Sequence, residues 1–250
     1  MQSAHRNAPP PDLRIVPIES VQAHEEHDNQ RSDPLVERLR NETVMINPPL
    51  VAPMGENQYV VLDGANRCHS LARLEYPHIL VQVTSYESGY VELDTWRHVI
   101  SEWDADALLT HLSQIHDIDI EDGQDAEAIM HFILRDGRIL AIKAAVGNTH
   151  EKNAALRKIV KIYQQNARLN RTAINEPEEV WDLYPKAIAL AVFPEYQPSD
   201  IIAAARYQAY LPAGISRHII HGRALRVNYP LQALRDTQMS LSEKNNALQL

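Results

Sequence analysis

The 250-residue sequence contains one cysteine, Cys68, so it has neither an internal disulfide framework nor a thiolate cluster for structural zinc. It also lacks an excess of positive charge. The formal net charge is −9, which removes the basic field that draws proteins to phosphate backbones and counts against nucleic acid as a partner. No apolar run approaches the roughly 18 residues of a membrane span. The opening Met1 to Asp12 does not have the charged-then-apolar order of a signal peptide, so no membrane partner is expected and a reducing, cytoplasmic setting is. There is no internal repeat, and the only biased stretch is Pro9, Pro10 and Pro11, which makes residues 1–12 read as a disordered tail. The remaining chain has enough apolar residues, 44% overall, to bury one sizeable core or two smaller ones.

Patterning predicts a mixed α/β protein. Arg14 to Ile18 reads as a strand, Ser20 to Arg31 as an ordered loop, and Asp33-Pro34 as the start of a short helix ending near Thr43. Leu50 to Pro53 and Tyr59 to Leu62 flank the turn-forming Gly55-Glu56-Asn57 and predict a hairpin. Ala65 to Leu74 follows as a helix, Ile79 to Val83 and Val91 to Trp96 as strands, and Ala105 to Ile115 as an acidic helix. The acid-rich Asp117 to Asp125 misses the spacing of a calcium loop and reads as a solvated connection. Asp136-Gly137 marks a second hairpin, Ile129 to Leu134 with Ile139 to Ala144. An amphipathic helix at Glu151 to Asn166, a strand at Ala187 to Phe193 and a helix from Ser199 to Tyr207 come next. Pro212 to Tyr229 predicts two short strands around His221-Gly222, and residues 241–250 a frayed tail. The expected organisation is one lobe over 13–86 and a second α/β lobe over 87–240, with a site between them.

The segment richest in chemistry is Val60-Val61-Leu62-Asp63-Gly64-Ala65-Asn66-Arg67, a buried strand that delivers an acid and a glycine to a helix start. Amides in a first helical turn have no internal partner and sit at the positive end of the helix dipole, so an anion can bind there. Gly64 permits close approach, Arg67 offers a planar fork to phosphoryl oxygens, and Asp63 stands where a magnesium ion would be held. Spacing alone favours a plain strand-to-helix turn with Asp63 as cap and Arg67 on a solvated face.

This segment resembles the ParB/sulfiredoxin fold family, whose usual form is Asp-Gly-x-His-Arg, with Asn66 here in place of the histidine. Within that family the chain is more similar to the free L-serine kinases, including their siderophore-pathway branch, from about Arg14 to Leu234. Three further features carry the likeness. His24-Glu25 corresponds to a His-Glu pair whose glutamate is the catalytic base, which makes Glu25 the candidate base with Glu26 its neighbouring alternative. Arg31 resembles a substrate-binding arginine of the siderophore branch, and Trp96, in Thr95-Trp96-Arg97-His98, a residue beside the serine pocket. Pro212-Ala213-Gly214-Ile215-Ser216-Arg217-His218 is similar to the late segment that binds the amino acid or its phosphate, with His218 where the branch has an aromatic residue.

The resemblance implies a ParB/sulfiredoxin-like nucleotide-binding lobe and a kinase that makes O-phospho-L-serine. Magnesium would be its cofactor, ATP or ADP its donor, and a phosphoserine-using enzyme a downstream partner. Asp63, Gly64, Ala65, Asn66 and Arg67 would hold phosphates; Arg31, Trp96, Ser216, Arg217 and His218 would hold serine. The alternatives are a DNA-binding CTPase of the ParB type, which the acidic 101–127 stretch opposes, and a nucleotide-binding regulator without kinase activity. Cys68 follows Arg67 rather than preceding a His-Arg pair, so sulfiredoxin chemistry is not expected.

Overall fold

A computed structural model describes residues 8–27, 29–145 and 147–248, with backbone only at 29–31. Its contacts divide the chain into two units. The first combines the described residues up to Leu93 with 201–206 and those from His218 onward; the second holds 94–200 and 207–217.

The first unit contains β1 (Asp12–Pro17), β2 (Val21–Gln22), α1 (Asn29–Asn41), β3 (Val44–Met45), β4 (Leu50–Gly55), β5 (Gln58–Asp63), α2 (Ala65–Arg73) and β6 (His78–Val83), and it includes the start of β7 (Val91–Thr95). Its sheet runs β1-β6-β4-β5-β2. The β4–β5 hairpin forms as the Gly55 turn predicts, while β2 lies parallel to β5, with Val21 opposite Tyr59 and Gln22 opposite Val60. Leu50 to Ala52, Val60 to Leu62 and Ile79 to Val81 are buried as unbroken runs, the signature of strands covered on both faces.

The second unit contains β8 (Arg97–Ser101), α3 (Ala105–Leu112), β9 (Ile118–Asp122), β10 (Met130–Leu134), β11 (Ile139–Ala144), α4 (Thr149–Asn166), β12 (Arg168–Thr172), α5 (Pro177–Leu183) and β13 (Ala187–Val192). Its antiparallel sheet runs β12-β8-β13-β10-β11-β9. Asp104 and Asn148 cap α3 and α4 by accepting from Ala107 N–H and Glu151 N–H, and α4 buries Leu156, Ile159, Val160 and Tyr163 as its spacing demands. After α6 (Pro198–Arg206) and β14 (Ser216–Ile220), the chain returns through β15 (Tyr229–Pro230), α7 (Leu231–Arg235) and α8 (Leu241–Leu248).

The mixed α/β class is as expected, and several elements differ from the sequence reading. Ser20 to Arg31 is not one loop, since it holds β2 and the first turn of α1, which carries Pro34 internally. The supposed connection at Asp117 to Asp125 is edge strand β9, with Ile118 buried and its acids outward. β8, β12 and α5 were not anticipated. The two strands expected over Pro212 to Tyr229 reduce to β14, paired with β7, and the brief β15, paired with β3; Arg226 and Asn228, at φ 56° and 54°, break the extended chain between them. The expected tail at 241–250 is helical to Leu248, and Asp12 of the expected N-terminal tail opens β1; residues 1–7, 249 and 250 lie outside the described residues. The unit break falls at 93/94 rather than 86/87, and the first unit is discontinuous because Leu231 and Leu234 of the returning chain complete its core around Ile15, Val61, Leu71 and Leu80.

Candidate active site

β5 ends at Asp63 and α2 begins at Ala65, so Gly64 alone turns the chain. It does so at φ 97°, a left-handed conformation that costs a residue with a Cβ, and a Cβ here would meet Pro49 Cβ at 3.0 Å. Gly64 is the helix N-cap and, having no side chain, makes no side-chain cap bond to the first turn. Two guanidinium groups accompany this turn. Arg67 is largely buried; desolvation pushes its pKa down, opposed by Asp63 and reinforced by Arg223 and Arg38. Its Nη1 has no hydrogen-bond partner among the described residues. Arg223, from the returning chain, pairs with Asp63 while its Nε is buried and unpartnered among the described residues. An unsatisfied buried donor costs about 1–3 kcal/mol, and an oxyanion at the helix start would satisfy both groups through charge-assisted bonds.

The parallel course of β2 beside β5 leads to His24, whose Nδ1 lies 2.7 Å from the Val61 carbonyl. A carbonyl only accepts, so Nδ1 carries the proton and, in the neutral ring, Nε2 does not. His24 is buried and its pKa is pushed down by desolvation, with Glu25 and the Val61 carbonyl opposing. Nε2 stands 3.8 Å from the Glu25 carboxylate, whose side chain is mostly shielded, whereas Glu26 is exposed. The His24–Val61 bond anchors the chain beside β5, two residues upstream of Asp63, and Glu25 follows His24 directly. His218 packs edge-to-face on His24 with ring centroids 5.5 Å apart, and its Nε2 meets the Tyr86 hydroxyl at 2.7 Å. Burial, with His24 adding repulsion, pushes the His218 pKa down to about 3, so it is a neutral hydrogen-bonding group. Burial pushes the Cys68 thiol up to about 12, which leaves no thiolate for redox chemistry.

Trp96, Ser216 and Arg217 belong to the second unit. The Arg217 guanidinium lies 4.8 Å above the Trp96 ring and donates to Asp94 Oδ2 at 2.7 Å, so Trp96 is a half-buried stacking surface rather than core. Side chains alternate along β14, which puts Ser216 and His218 on one face and Arg217 on the other. Glu25, Asp63, Gly64, Ala65, Asn66, Arg67 and His218 all belong to the first unit; the second brings together Trp96 and Arg217, with Ser216 next in the strand. The Arg31 side chain lies outside the described residues. Sequence reasoning missed Arg223 and Tyr86, because neither belongs to a local motif and each acquires its partner only through folding. Among the described residues no group of three or more His, Cys, Asp or Glu side chains could hold a metal alone. Asp63 is nonetheless a half-exposed carboxylate beside the anion cradle, which suits a magnesium ion that takes most of its ligands from phosphate and water.

No family model matches the chain. The sequence is similar to the ATP-dependent L-serine kinase SbnI of Staphylococcus aureus, at 26% identity over 231 residues, covering 89% of this chain and 84% of that one. It is also similar to an ATP-dependent L-serine kinase of Staphylothermus marinus, at 30% identity over 83 residues and 33% of each chain. The fold is similar to that of C-terminally truncated SbnI, with a TM-score of 0.76 and 22% identity, covering 95% of this chain and 94% of that one. It is likewise similar to a free serine kinase in complex with AMP, with a TM-score of 0.77 and 15% identity over 90% and 95% of the two chains.

Proposed function

We propose that this chain, which belongs to the free L-serine kinase family, transfers the terminal phosphoryl group of ATP to the hydroxyl of L-serine, giving O-phospho-L-serine and ADP. The observation that carries the reading is the pairing, along the end of β5, of an anion cradle with a carboxylate: the Arg67 and Arg223 donors at the Gly64 turn, and Glu25, whose neighbour His24 is anchored to Val61. Similarity over most of the chain to an ATP-dependent L-serine kinase supports the choice of donor and acceptor. Both are cytoplasmic metabolites, and the cytoplasm is where we place the reaction.

The first-turn amides of Ala65 and Asn66, with the two guanidinium groups, hold the phosphates, the Arg67 N–H being taken by the Gly64 carbonyl at 2.9 Å. Arg223 exchanges its Asp63 partner for phosphate oxygen. Asp63 would share a magnesium ion with the phosphates, and such an ion offsets charge developing on the transferred group. The serine oxygen attacks the terminal phosphorus, the bond to the bridging oxygen of ADP breaks, and Glu25 accepts the hydroxyl proton. Phosphoryl transfer is loose, so this proton leaves late and an ordinary carboxylate suffices as base. Arg31, Ser216 and His218 bind the amino acid, Arg31 through charge and the other two through hydrogen bonds, while the stacked Arg217–Trp96 pair on the other face of β14 supports that strand.

Incubation with magnesium, L-serine and ATP, or ADP in its place, followed by phosphorus NMR, tests the reading. O-phospho-L-serine with ATP is expected; nucleotide binding with no product from either donor would leave a sensor. Glu25→Gln should slow turnover by about 10²–10⁴ with ATP affinity nearly unchanged, and undiminished turnover would remove Glu25 from the role.

A further inference from the structure

In the second unit, the segment that delivers Ser216 and Arg217 is held by its carbonyls. Asn153 Nδ2 donates to the Ala209 carbonyl at 2.6 Å and Arg157 donates to that of Tyr210. Arg171 Nη2 donates to Ala213 at 3.3 Å, the His98 ring to Gly214 at 3.0 Å, and the Trp96 backbone N–H to Ile215 at 2.8 Å. A segment that only linked α6 to β14 would leave such carbonyls to solvent, as surface loops do. Here, side chains from α4, β12 and β8 are spent on them.

His98 has the most constrained geometry of the set. Its ring is fully buried, with Nε2 facing the Gly214 carbonyl and Nδ1 facing the Tyr163 hydroxyl at 2.8 Å. The carbonyl can only accept, so Nε2 carries the proton, Nδ1 accepts, and Tyr163 O–H donates to it. Tyr163 therefore selects the tautomer that grips Gly214. Burial, aided by the nearby Arg171 charge, pushes His98 down to about 4, so the ring keeps this single proton through neutral pH. Arg171 stands opposite His98 in the β12–β8 register, and its guanidinium occupies the place where a Cβ on Gly214 would lie. Gly214, at φ 82°, is the seat for that guanidinium as well as a turn.

We propose that His98, oriented by Tyr163, is a positioning residue that fixes the Gly214–Ile215 peptide and so sets Ser216 for recognition of the amino-acid substrate. The inference rests on the serine-kinase reading. His98 touches no substrate itself, so its loss should appear in serine recognition and leave nucleotide recognition in place.

Steady-state kinetics of the full chain with Tyr163→Phe, His98→Leu and His98→Gln test this, with thermal melts to verify folding. Tyr163→Phe removes one oxygen, and His98→Gln keeps an N–H donor near the Nε2 position. Tyr163→Phe and His98→Leu should raise the KM for L-serine about tenfold or more, with the KM for ATP within about twofold, and His98→Gln should recover most of the loss. An unchanged serine KM in folded Tyr163→Phe, a joint rise of both KM values, or a His98→Gln variant as poor as His98→Leu would overturn the proposal. Absence of phosphoserine from the unaltered protein would instead sink the kinase reading, and calorimetric titration of L-serine into the unaltered protein and Tyr163→Phe would still decide the positioning role by whether the variant binds serine more weakly.

Discussion

Gly64 and Gly214 show how one residue type serves two purposes. At Gly64 the demand is conformational and steric: an alanine would hold a left-handed φ at about 1–2 kcal/mol and press on Pro49 across a strand-to-helix turn with no slack. Gly64→Ala should therefore weaken ATP binding by about tenfold, measured calorimetrically, while titration of L-serine is little changed. At Gly214 the neighbour is a charged side chain, so Gly214→Ala displaces Arg171 as well as straining the turn. Its expected effect is the reverse: serine recognition falls and ATP affinity survives. The turn that carries Asp63, Gly64 and Arg67 was legible in the sequence because a buried strand, a turn glycine and a helix start are local features. Arg223 was not, because its carboxylate lies 160 residues away in sequence.

At the scale of elements, the reading succeeded where one periodicity ran unbroken, as in the β4–β5 hairpin, α2 and α4, and failed where tertiary contacts overrode a polar sequence. α8 is the clearest case. Its residues look solvated, yet Lys244 is fully buried, its Nζ donating to the carbonyls of Leu234 and Asp236 and to His78 Nδ1, while Asn245 bonds both the N–H and the carbonyl of Ile15 in β1. The ammonium completes the C-terminus of α7, where carbonyls lack helical partners and a cation is favoured. Lys244→Met keeps the aliphatic bulk and abandons those acceptors, an expected loss of about 1–3 kcal/mol. At about 2–4 °C per kcal/mol for a chain of this size, calorimetry should show a melting temperature several degrees lower. Activity per folded molecule should be retained, and an unchanged melting temperature would mean that the buried ammonium contributes nothing net.

Across the whole molecule, buried histidine is the recurring device. His24 and His218 in the first unit and His98 in the second all have pKa values pushed down chiefly by burial, His98 to about 4 and His218 to about 3. None of them titrates at neutral pH in the folded chain, which is what lets each act as a fixed donor–acceptor. The cost appears in stability. In the unfolded chain these rings take up protons near their ordinary 6.5, so below that value the unfolded state binds more protons than the folded one and stability falls with pH. Their contribution is present in full above 6.5 and is lost as pH falls toward 4 for His98 and 3 for His218. The carboxylates with lowered pKa, Asp117, Asp125, Asp136 and Glu243, lie at the surface and lose their share only below their ordinary values of 3.8 to 4.5. Between pH 6.5 and 5 the histidines therefore dominate, with His69 and His78, whose pKa values are also lowered, adding to the same sign. Urea unfolding over that window should show stability falling by about 1.4 kcal/mol per pH unit for each fully buried ring. In His98→Gln the slope should be shallower by the equivalent of one proton, and an identical slope would mean that His98 takes up its proton in the folded state and is not the fixed single-proton donor that the grip on Gly214 requires.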